Sequence, residues 1–268
     1  MRDKGIDNLI ISGPSGYPIS VAKSGSEGPN ILKLHAAGTT HNADAETIRR
    51  LGEEGEVWAP SLFDLIASCQ HRGIKSPTIG DMVNEFSSLE LMNRNKKTGL
   101  VTDSWGADFG WEYAARNRRE VEWMVAASPT GWPLGRSLTD WIPEFIRMMY
   151  DASRTPQEIQ KNDAGTDPLM QQFRKDKASV LHGILNLAAN SDSRDVFPRV
   201  ETSVVMLRGV KDRYIPLYST QRIAASLSHA GVAIVSPHGH LWPGFDREQL
   251  IRPVVQLARS TSGSRSPS

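Results

Sequence analysis

The amino-acid sequence predicts an α/β fold with a doubly wound, mostly parallel sheet and a helical insertion. Short, almost continuous apolar runs recur along the chain, as expected for central strands that are covered on both faces. Helical patterns alternate with these runs, which is the order of elements that produces a parallel sheet. One long region, from about residue 130 to residue 198, breaks the alternation because it contains helical patterns and no convincing strand.

Six apolar runs form the predicted sheet. In chain order they are Asn30–Gly38, Glu56–Pro60, Thr98–Asp103, Val121–Ser128, Ser203–Gly209 and Gly231–Pro237. Helical patterns follow at Asp81–Asn93, Ala107–Asn117, Leu217–Ala230 and Asp246–Arg259. Each run and the helix after it are interpreted as one strand–helix unit of the sheet.

The helical region divides the predicted sheet into two parts of the chain. Its helices are predicted to begin at Thr139, Thr155 and Asp167. We therefore predict a core from residues 1–129 and 199–259, a helical cap from 130–198, and a flexible, low-complexity tail from 260–268. Insertions at the carboxyl ends of parallel strands are where such folds build ligand sites, so the cap is expected to cover one.

The composition is that of an ordinary globular protein. Of the 268 residues, 39% are hydrophobic and 23% are charged, and Lys and Arg (31) exceed Asp and Glu (30) by one. This balance gives no basic field for nucleic acid. No stretch approaches the roughly 18 apolar residues that a bilayer requires, and the N-terminus lacks the apolar core of a signal peptide. We expect a cytoplasmic protein without nucleic-acid or membrane partners, in which the single Cys69 is a bystander.

One serine lies where the third apolar run gives way to a helix. In LVTDSWGADFGWEYAARN, Ser104 follows the run directly. A sharp strand–turn–helix lifts a serine hydroxyl clear of the sheet and points the N–H groups of the next helix toward it. Serine is also a common helix N-cap, so Ser104 alone leaves that role open. Gly106 is the small residue that such a turn needs, whereas Thr102 places a β-branched side chain in it.

Two later residues could activate this hydroxyl. A serine nucleophile needs a base, and the base needs an orienting partner. Asp212 follows the fifth apolar run in LRGVKDRYIP, and His240 follows the sixth in SPHGHLWP. Because the carboxyl ends of parallel strands meet at one edge of a sheet, the three residues are predicted to converge there. The sequence shows neither a phosphate-binding glycine loop nor metal-ligand spacing, so we expect no cofactor and no metal.

From about Tyr17 to Leu257 the sequence resembles the α/β-hydrolase superfamily, and within it the capped, esterase-like branch. YPISVAKSGSEGPNILKLHAAG resembles the opening hairpin, the next strand and the His-Gly loop, and DSWGADFGWEYAARN resembles the nucleophile elbow. RGVKDRYIP and GHLWP resemble the acid and histidine loops. The resemblance implies Ser104 as nucleophile, His240 as general base and Asp212 as the residue that orients His240.

The resemblance also implies an oxyanion hole and a substrate pocket. The hole would use the backbone N–H groups of Trp105 and Ala37. The predicted pocket residues are His35, Ala36, Trp132, Trp141 and Trp242. If two or more of these tryptophans line the cavity, a flat or aromatic acyl group is expected.

Three departures from the family pattern predict a divergent member. Ala36 replaces the glycine after the loop histidine, and Thr102 replaces the first glycine of the elbow. The stretch APSLFDLIAS lacks the Asp-x-Arg-Gly-x-Gly-x-Ser loop of most capped members. None of the three removes a chemical group of the predicted Ser-His-Asp set.

Several alternatives stay open on the sequence alone. Asp103 could be the nucleophile, as in epoxide hydrolases and haloalkane dehalogenases, although it lies one position early. His238 competes with His240 as the base, and Asp140 competes with Asp212 as the acid. The sequence favours Ser104, His240 and Asp212 in each case.

Three functional hypotheses follow. The first is a serine hydrolase that cleaves an ester, thioester or lactone of a small, aromatic or polyketide-like molecule through an acyl-Ser104 intermediate. The second is a C–C bond hydrolase, cyclase or acyltransferase of secondary metabolism that uses the same residues. The third is a non-catalytic ligand receptor. The expected partner is a small-molecule substrate, and the oligomeric state, including a homodimer, stays open.

Overall fold

The computed structural model describes residues 5–37, 44–93, 95–135, 190–235, 239–240 and 246–263, and the single residues 143, 187 and 243. Its strands are β1 (Asp7–Ser12), β2 (Pro18–Ser24), β3 (Asn30–Leu34), β4 (Glu56–Pro60), β5 (Thr98–Asp103), β6 (Val121–Ala127), β7 (Ser203–Gly209) and β8 (Ala230–Val235). Its helices are α1 (Ala45–Leu51), α2 (Leu62–His71), α3 (Ile79–Ser87), α4 (Gly106–Arg116), α5 (Leu217–Ser226) and α6 (Arg247–Gly263), and a 3₁₀ turn covers Phe197–Arg199.

The eight strands form one sheet in the order β1-β2-β4-β3-β5-β6-β7-β8. β1, β2 and β4 pair antiparallel, and from β4 to β8 all neighbours are parallel. The predicted mostly parallel α/β fold is therefore confirmed. After β3 the chain adds β4 on one side and β5 on the other, which creates a topological switch point. Ligand sites in such sheets lie at the carboxyl ends of the strands beside that point.

Helices cover both faces of the sheet. Residues of α2, α3, α4 and α5 pack in one apolar cluster, and residues of α1 and α6 pack in a second cluster on the opposite face. This two-sided cover explains the near-continuous apolar runs of the central strands, since their alternate residues enter different clusters. Trp58 and Trp123 are 7% and 1% exposed, which confirms that both are strand core residues.

All six predicted strands are present, with small differences at their ends. β4, β5 and β7 have the predicted bounds, and β3 ends at Leu34, where the small-residue loop predicted at the end of this run follows. Three elements were not predicted: β1, α1 and α2. β1, at the edge of the sheet, contains only three consecutive apolar residues, Leu9–Ile11, and its residues are half-buried or exposed. The apolar stretch after Ser61 forms α2, whose first turn is capped by the Ser61 hydroxyl.

The predicted helices shift by a few residues. A capping box between Thr78 and Asp81 starts α3 at Ile79, before the predicted start at Asp81. The same helix ends at Ser87, and Glu90 then has a positive φ of 50°. α6 continues to Gly263, so the first four residues of the tail predicted from residue 260 are helical.

Most of the predicted cap lies outside the described residues. This applies to the predicted helix starts Thr139, Thr155 and Asp167. At the start of the region, the described residues from Thr130 follow β6. At its end, the described residues lead through the 3₁₀ turn at Phe197–Arg199 into β7. None of the described helices combines the length and the apolar character that crossing a bilayer requires.

Candidate active site

Ser104 occupies a strained elbow between β5 and α4. Its φ of 49° lies in the left-handed region, which non-glycine residues adopt only where the surroundings hold them there. The Ser104 N–H donates to the Ala127 carbonyl at 2.8 Å. Its carbonyl accepts from the Thr130 N–H at 3.2 Å and from the Thr130 hydroxyl at 3.1 Å. These contacts to the end of β6 hold the elbow in place.

The alternative that Ser104 is a helix N-cap is wrong. α4 begins at Gly106, the N-cap position belongs to Trp105, and no side chain caps this helix. The Ser104 hydroxyl is instead directed to another part of the chain, where His240 lies.

Gly106 lets the helix approach the neighbouring strand closely. A Cβ at this position would lie 2.7 Å from the carbonyl oxygens of both Leu34 and His35. Backbone atoms cannot move aside as a flexible side chain can, so only glycine fits here. The elbow therefore rests directly on the start of the loop that follows β3.

Thr102, which replaces the usual elbow glycine, is accommodated by a second glycine. Its side chain is fully buried, and a Cβ on Gly110 would lie 2.8 Å from the Thr102 methyl carbon. The family pattern has a glycine at position 102. Here the larger threonine side chain fits because Gly110, one helical turn into α4, has no side chain. The pair keeps the strand and the helix in contact without widening the elbow.

Gly110→Ala is expected to lower the free energy of unfolding by about 1–3 kcal/mol because its methyl group would overpack against Thr102. This loss exceeds the gain of up to about 1 kcal/mol that alanine brings to a helix. Urea denaturation of the single variant and of Thr102→Ala/Gly110→Ala measures how much of the change in the free energy of unfolding comes from the contact between the two positions. The double variant should recover most of the lost stability. Gly80→Ala is the matched control, since its Cβ would meet only the guanidinium end of Arg116. Equal stability of the Gly80 and Gly110 variants would contradict the prediction.

The structure brings Ser104, His240 and Asp212 together in one hydrogen-bonded chain. His240 Nε2 lies 2.9 Å from Ser104 Oγ, and His240 Nδ1 lies 2.9 Å from Asp212 Oδ2. His240 and Asp212 are buried, and Ser104 is half-buried. Asp212 Oδ1 accepts from the N–H groups of Tyr214 and Ile215, each at 2.9 Å. Both carboxylate oxygens therefore have hydrogen-bond partners, and Oδ2 is the one that faces His240.

The surroundings keep the Asp212 carboxyl ionised. Burial acts to raise its pKa, but the adjacent His240 ring, the Ile215 N–H and the Ser128 hydroxyl outweigh burial and hold the pKa below its usual range. An ionised Asp212 accepts a hydrogen bond from Nδ1–H of His240. Nε2 is then left without a proton and can accept the one on Ser104.

Sequence reasoning missed two residues that shape the acid loop. Arg208 is buried in β7 and donates to the carbonyl oxygens of Asp212 at 2.6 Å and Ile215 at 2.9 Å, so the loop folds around its guanidinium group. Ser128, at the end of β6, has a φ of 46° and donates to the Asp212 carboxylate. A charged residue inside the apolar run of β7 was the available signal for Arg208.

The predicted oxyanion donors lie on the two sides of the switch point. Trp105 directly follows Ser104, and the residue is 1% exposed. Ala37 is half-buried in the turn after β3. The hydrogen bonds of the described residues leave the N–H groups of Trp105 and Ala37 without an acceptor.

His35 braces the loop after β3, and its place in a substrate pocket stays a prediction. It is 1% exposed, its Nε2 accepts from the Leu62 N–H at 2.9 Å, and its Nδ1 donates to the Ala36 carbonyl at 2.9 Å. Its ring also packs edge-on against Phe63. With both ring nitrogens bound within the protein, His35 ties the loop after β3 to the start of α2.

The tryptophans predicted to line a pocket are only partly described. Trp132 is half-buried, packs against the main apolar cluster and has the guanidinium groups of Arg194 and Arg222 at 5.9 and 5.8 Å from its ring. Trp141 and Trp242 lie outside the described residues, so the prediction for them is untested. Ala36 is half-buried and holds His35 through its carbonyl.

The competing residues are also placed in part. Asp103 is 7% exposed and binds the Lys33 ammonium at 2.5 Å, an ion pair that occupies it. Burial raises the pKa of the Asp103 carboxyl, and Lys33 opposes this rise. Asp140 and His238 lie outside the described residues. Cys69 is buried, and burial followed by nearby Glu85 raises the pKa of its thiol to about 12, as expected for a bystander.

A buried carboxylate ties α4 to both ends of the inserted region. Asp108, in the first turn of α4, accepts hydrogen bonds from the hydroxyls of Thr130 at 2.6 Å, Ser191 at 2.8 Å and Ser193 at 3.0 Å. Burial raises the pKa of Asp108 to about 6, although these hydroxyls oppose the rise. Thr130 is the first residue of the predicted cap, and the two serines lie near its end. Asp108 therefore closes the base of the insertion next to the elbow.

Asp108→Asn is expected to gain stability relative to the wild type as the pH rises from 4 to 6.5. Folded wild type holds the Asp108 proton up to a pH of about 6, whereas the unfolded chain releases it near 3.8. The wild type thus loses up to about 3 kcal/mol across this range from this one group, and the amide does not. Urea denaturation of both proteins at several pH values measures the difference. A pH-independent difference would contradict the prediction.

Comparison with known proteins identifies the fold. No protein-family model and no curated protein matches the sequence. Among solved structures, an esterase from Exiguobacterium antarcticum superposes with a TM-score of 0.71 at 16% identity, over 94% of this chain and 100% of that one. The enol-lactonase from Burkholderia xenovorans LB400 superposes with a TM-score of 0.70 at 13% identity, over 94% and 99%. A meta-cleavage product hydrolase from Pseudomonas fluorescens IP01 gives 0.67 at 16% identity, over 97% and 99%.

These similarities and the sheet topology define the fold of the protein. The chain has the α/β-hydrolase fold, as the sequence predicted, and Ser104 lies in the turn between β5 and α4. At identities this low, the comparisons establish the fold and leave the reaction to be argued from the site itself. Among the described residues, no group of three His, Cys, Asp or Glu side chains could hold a metal ion.

Proposed function

We propose that the protein is a serine hydrolase that cleaves an ester, thioester or lactone of a small molecule through an acyl-Ser104 intermediate. The observation that carries the proposal is the hydrogen-bonded chain from Asp212 through His240 to Ser104, with both contacts at 2.9 Å. These are the distances that a nucleophile, a general base and an orienting acid require.

The first half of the reaction forms the acyl-enzyme. His240 Nε2 takes the proton of Ser104 Oγ while Oγ attacks the substrate carbonyl carbon, and the carbonyl electrons move to its oxygen. The N–H groups of Trp105 and Ala37 are proposed to bind that oxyanion, and one such donor is worth about 10²–10³-fold in rate. When the tetrahedral intermediate collapses, the bond to the leaving group breaks and His240 returns the proton to the departing alcohol or thiol.

The second half releases the acid. A water molecule takes the place of the leaving group, His240 removes one of its protons, and the hydroxide adds to the acyl carbon. Collapse of this second intermediate returns the proton to Ser104 Oγ. Throughout both halves the ionised Asp212 stabilises the charge on the imidazolium form of His240.

The Ser104 elbow supports the proposal independently of the three-residue chain. A φ of 49° at a serine is unfavourable and persists here because Ala127 and Thr130 hold the backbone. Strain of this kind is typical of residues that a fold must present to a ligand. An ordinary connection between β5 and α4 would not need it.

Hydrolysis of a C–C bond is a second candidate. The meta-cleavage product hydrolase shares the fold over 97% of this chain, which supports including diketone-like substrates among those tested. The nature of the acyl group, whether aromatic or polyketide-like, stays a prediction because Trp141 and Trp242 lie outside the described residues. A cytoplasmic location and a role in secondary metabolism also stay predictions.

The test is covalent labelling with a fluorophosphonate probe. Mass spectrometry of the peptide that contains Ser104 should show the adduct in the wild type, and His240→Ala should slow its formation strongly. Lack of an adduct in the wild type would overturn the proposal and favour a ligand receptor. Turnover of p-nitrophenyl acetate would support ester hydrolysis, whereas labelling combined with turnover of a diketone alone would favour the second candidate.

A further inference from the structure

A lysine lies in the interior of β3, where an apolar residue is the norm. Lys33 stands between Leu32 and Leu34 and is 1% exposed. Its ammonium group lies 2.5 Å from an oxygen of Asp103 and 2.9 Å from an oxygen of Asp44. Burying an ammonium group is costly unless carboxylates pair with it, and here two carboxylates do so.

The two carboxylates belong to the two elements that the proposed reaction must align. Asp103 is the last residue of β5 and directly precedes Ser104. Asp44 directly precedes α1 and ends the loop that begins at His35 and includes Ala37. Residues 38–43 of that loop lie outside the described part of the chain. One ammonium group thus joins the elbow to the far end of the loop.

The near end of the same loop is already held against the elbow. The carbonyl oxygens of Leu34 and His35 face Gly106 so closely that a Cβ there would lie 2.7 Å from each. The His35 ring binds the Leu62 N–H. Among the described residues, the Asp44 carboxylate has hydrogen bonds only from Lys33. Lys33 therefore supplies the second fixed end of the loop.

A buried ion pair is weak evidence for a role in fold stability. Replacing a buried ion pair with apolar residues of similar volume is often neutral or stabilising. The nearest residues on the same face of the sheet, Ile31 and Val101, are fully buried and apolar, so an apolar residue would also suit position 33. An ammonium group differs from an apolar side chain in having directional bonds, and these bonds set the spacing of Asp103 and Asp44.

We infer that Lys33 is a positioning residue for the proposed hydrolysis. Through Asp103 and Asp44 it holds the elbow and the loop at one spacing, so that the N–H groups of Trp105 and Ala37 bind the same oxyanion. This inference rests on the proposed function and adds a residue to it. It assigns Lys33 no contact with the substrate.

The test compares Asp44→Asn and Lys33→Met with the wild type, using p-nitrophenyl acetate and a trifluoromethyl ketone that forms a tetrahedral adduct with the serine. A looser oxyanion hole should lower kcat about 10–100-fold, which is less than the loss of a complete donor. KM should stay within about threefold, since ground-state binding hardly uses the hole. The inhibition constant of the ketone should rise by the same factor as kcat falls. Asp44→Glu keeps the charge and should recover part of the rate.

Lys96→Met is the control variant. It breaks an ion pair of 2.9 Å with Glu56 near the amino end of β5, away from the elbow, and should leave kcat and the inhibition constant unchanged. If Lys33→Met does not fold, Asp44→Asn still decides the question because the Asp44 side chain is 19% exposed and tolerates an amide.

The outcomes separate the two proposals. In one outcome, the wild type forms an adduct at Ser104, and Asp44→Asn and Lys33→Met change only the melting temperature. This outcome would overturn the positioning role and leave the proposed function standing. A wild type that forms no adduct would overturn the proposed function and this inference with it. A fall in kcat that matches the rise in the inhibition constant supports the positioning role. A purely structural role would lower the melting temperature and leave both quantities unchanged.

Discussion

Ser104→Ala is expected to lower kcat by about 10⁴–10⁶-fold while leaving the fold unchanged. The variant removes the only atom that forms the acyl bond, and His240 then has no proton to accept. The residual rate would come from the N–H donors and substrate binding, which act without the nucleophile. Circular dichroism and urea denaturation test the fold, and turnover of p-nitrophenyl acetate with active-site titration tests the rate.

The controls for Ser104→Ala use a second serine and a second member of the hydrogen-bonded chain. Ser226→Ala removes a hydroxyl in α5 that, among the described residues, bonds to the Arg222 carbonyl, and it should keep the wild-type rate. His240→Ala should reduce kcat about as much as Ser104→Ala, and the double variant should be no slower than either, because residues that act as one unit are not additive. A Ser104→Ala protein within tenfold of the wild type would contradict acyl-Ser104 chemistry.

Asp212→Asn is expected to lower kcat by about 10⁴-fold, and the hydrogen bonds of Asp212 explain why. Oδ1 accepts from the N–H groups of Tyr214 and Ile215 and must remain an oxygen. The amide NH₂ of the variant is therefore forced to face His240 Nδ1. An NH₂ group donates, so Nδ1 must lose its proton and Nε2 must carry one. His240 in this tautomer cannot accept the proton of Ser104.

The pH dependence of the Asp212→Asn rate provides the mechanistic test. The expected fall is in kcat with little change in KM, since the substrate does not contact Asp212. Asp195→Asn, which changes an exposed acid near the end of the predicted cap, is the matched control and should behave as the wild type. An Asp212→Asn enzyme within tenfold of the wild-type kcat at every pH from 6 to 9 would show that His240 does not need this acid.

Much of the sheet was predictable because burial on both faces leaves a direct trace in the sequence. β4, β5 and β7 match their predicted bounds since each is a short apolar run closed by turn residues. β1 was not predicted because its apolar run, Leu9–Ile11, is only three residues long and its edge position leaves the strand half-buried or exposed. α2 was not predicted because the stretch APSLFDLIAS was interpreted as the counterpart of a loop in the family pattern. Local composition thus indicates the centre of the sheet better than its edges.

The candidate site was predictable for a different reason. Parallel strands bring the residues that follow them to one edge, so Ser104, Asp212 and His240 could be grouped from strand order alone. The hydrogen bonds of the His35 ring to Leu62 and Ala36 could not be predicted, since no pattern in the sequence indicates that the start of α2 comes so close. Such contacts depend on how two elements pack across the sheet.

The sequence by itself determined the fold class, the central strands and the three residue types that meet at their carboxyl ends, because apolar periodicity and strand order are properties of the chain. Only the tertiary structure decided what Thr102 and Lys33 do. The threonine methyl fills the space left by Gly110, and the lysine ammonium joins Asp103 to Asp44. Both outcomes depend on the direction of a side chain into a neighbouring element, and that direction is set when β3, β5 and α4 pack together.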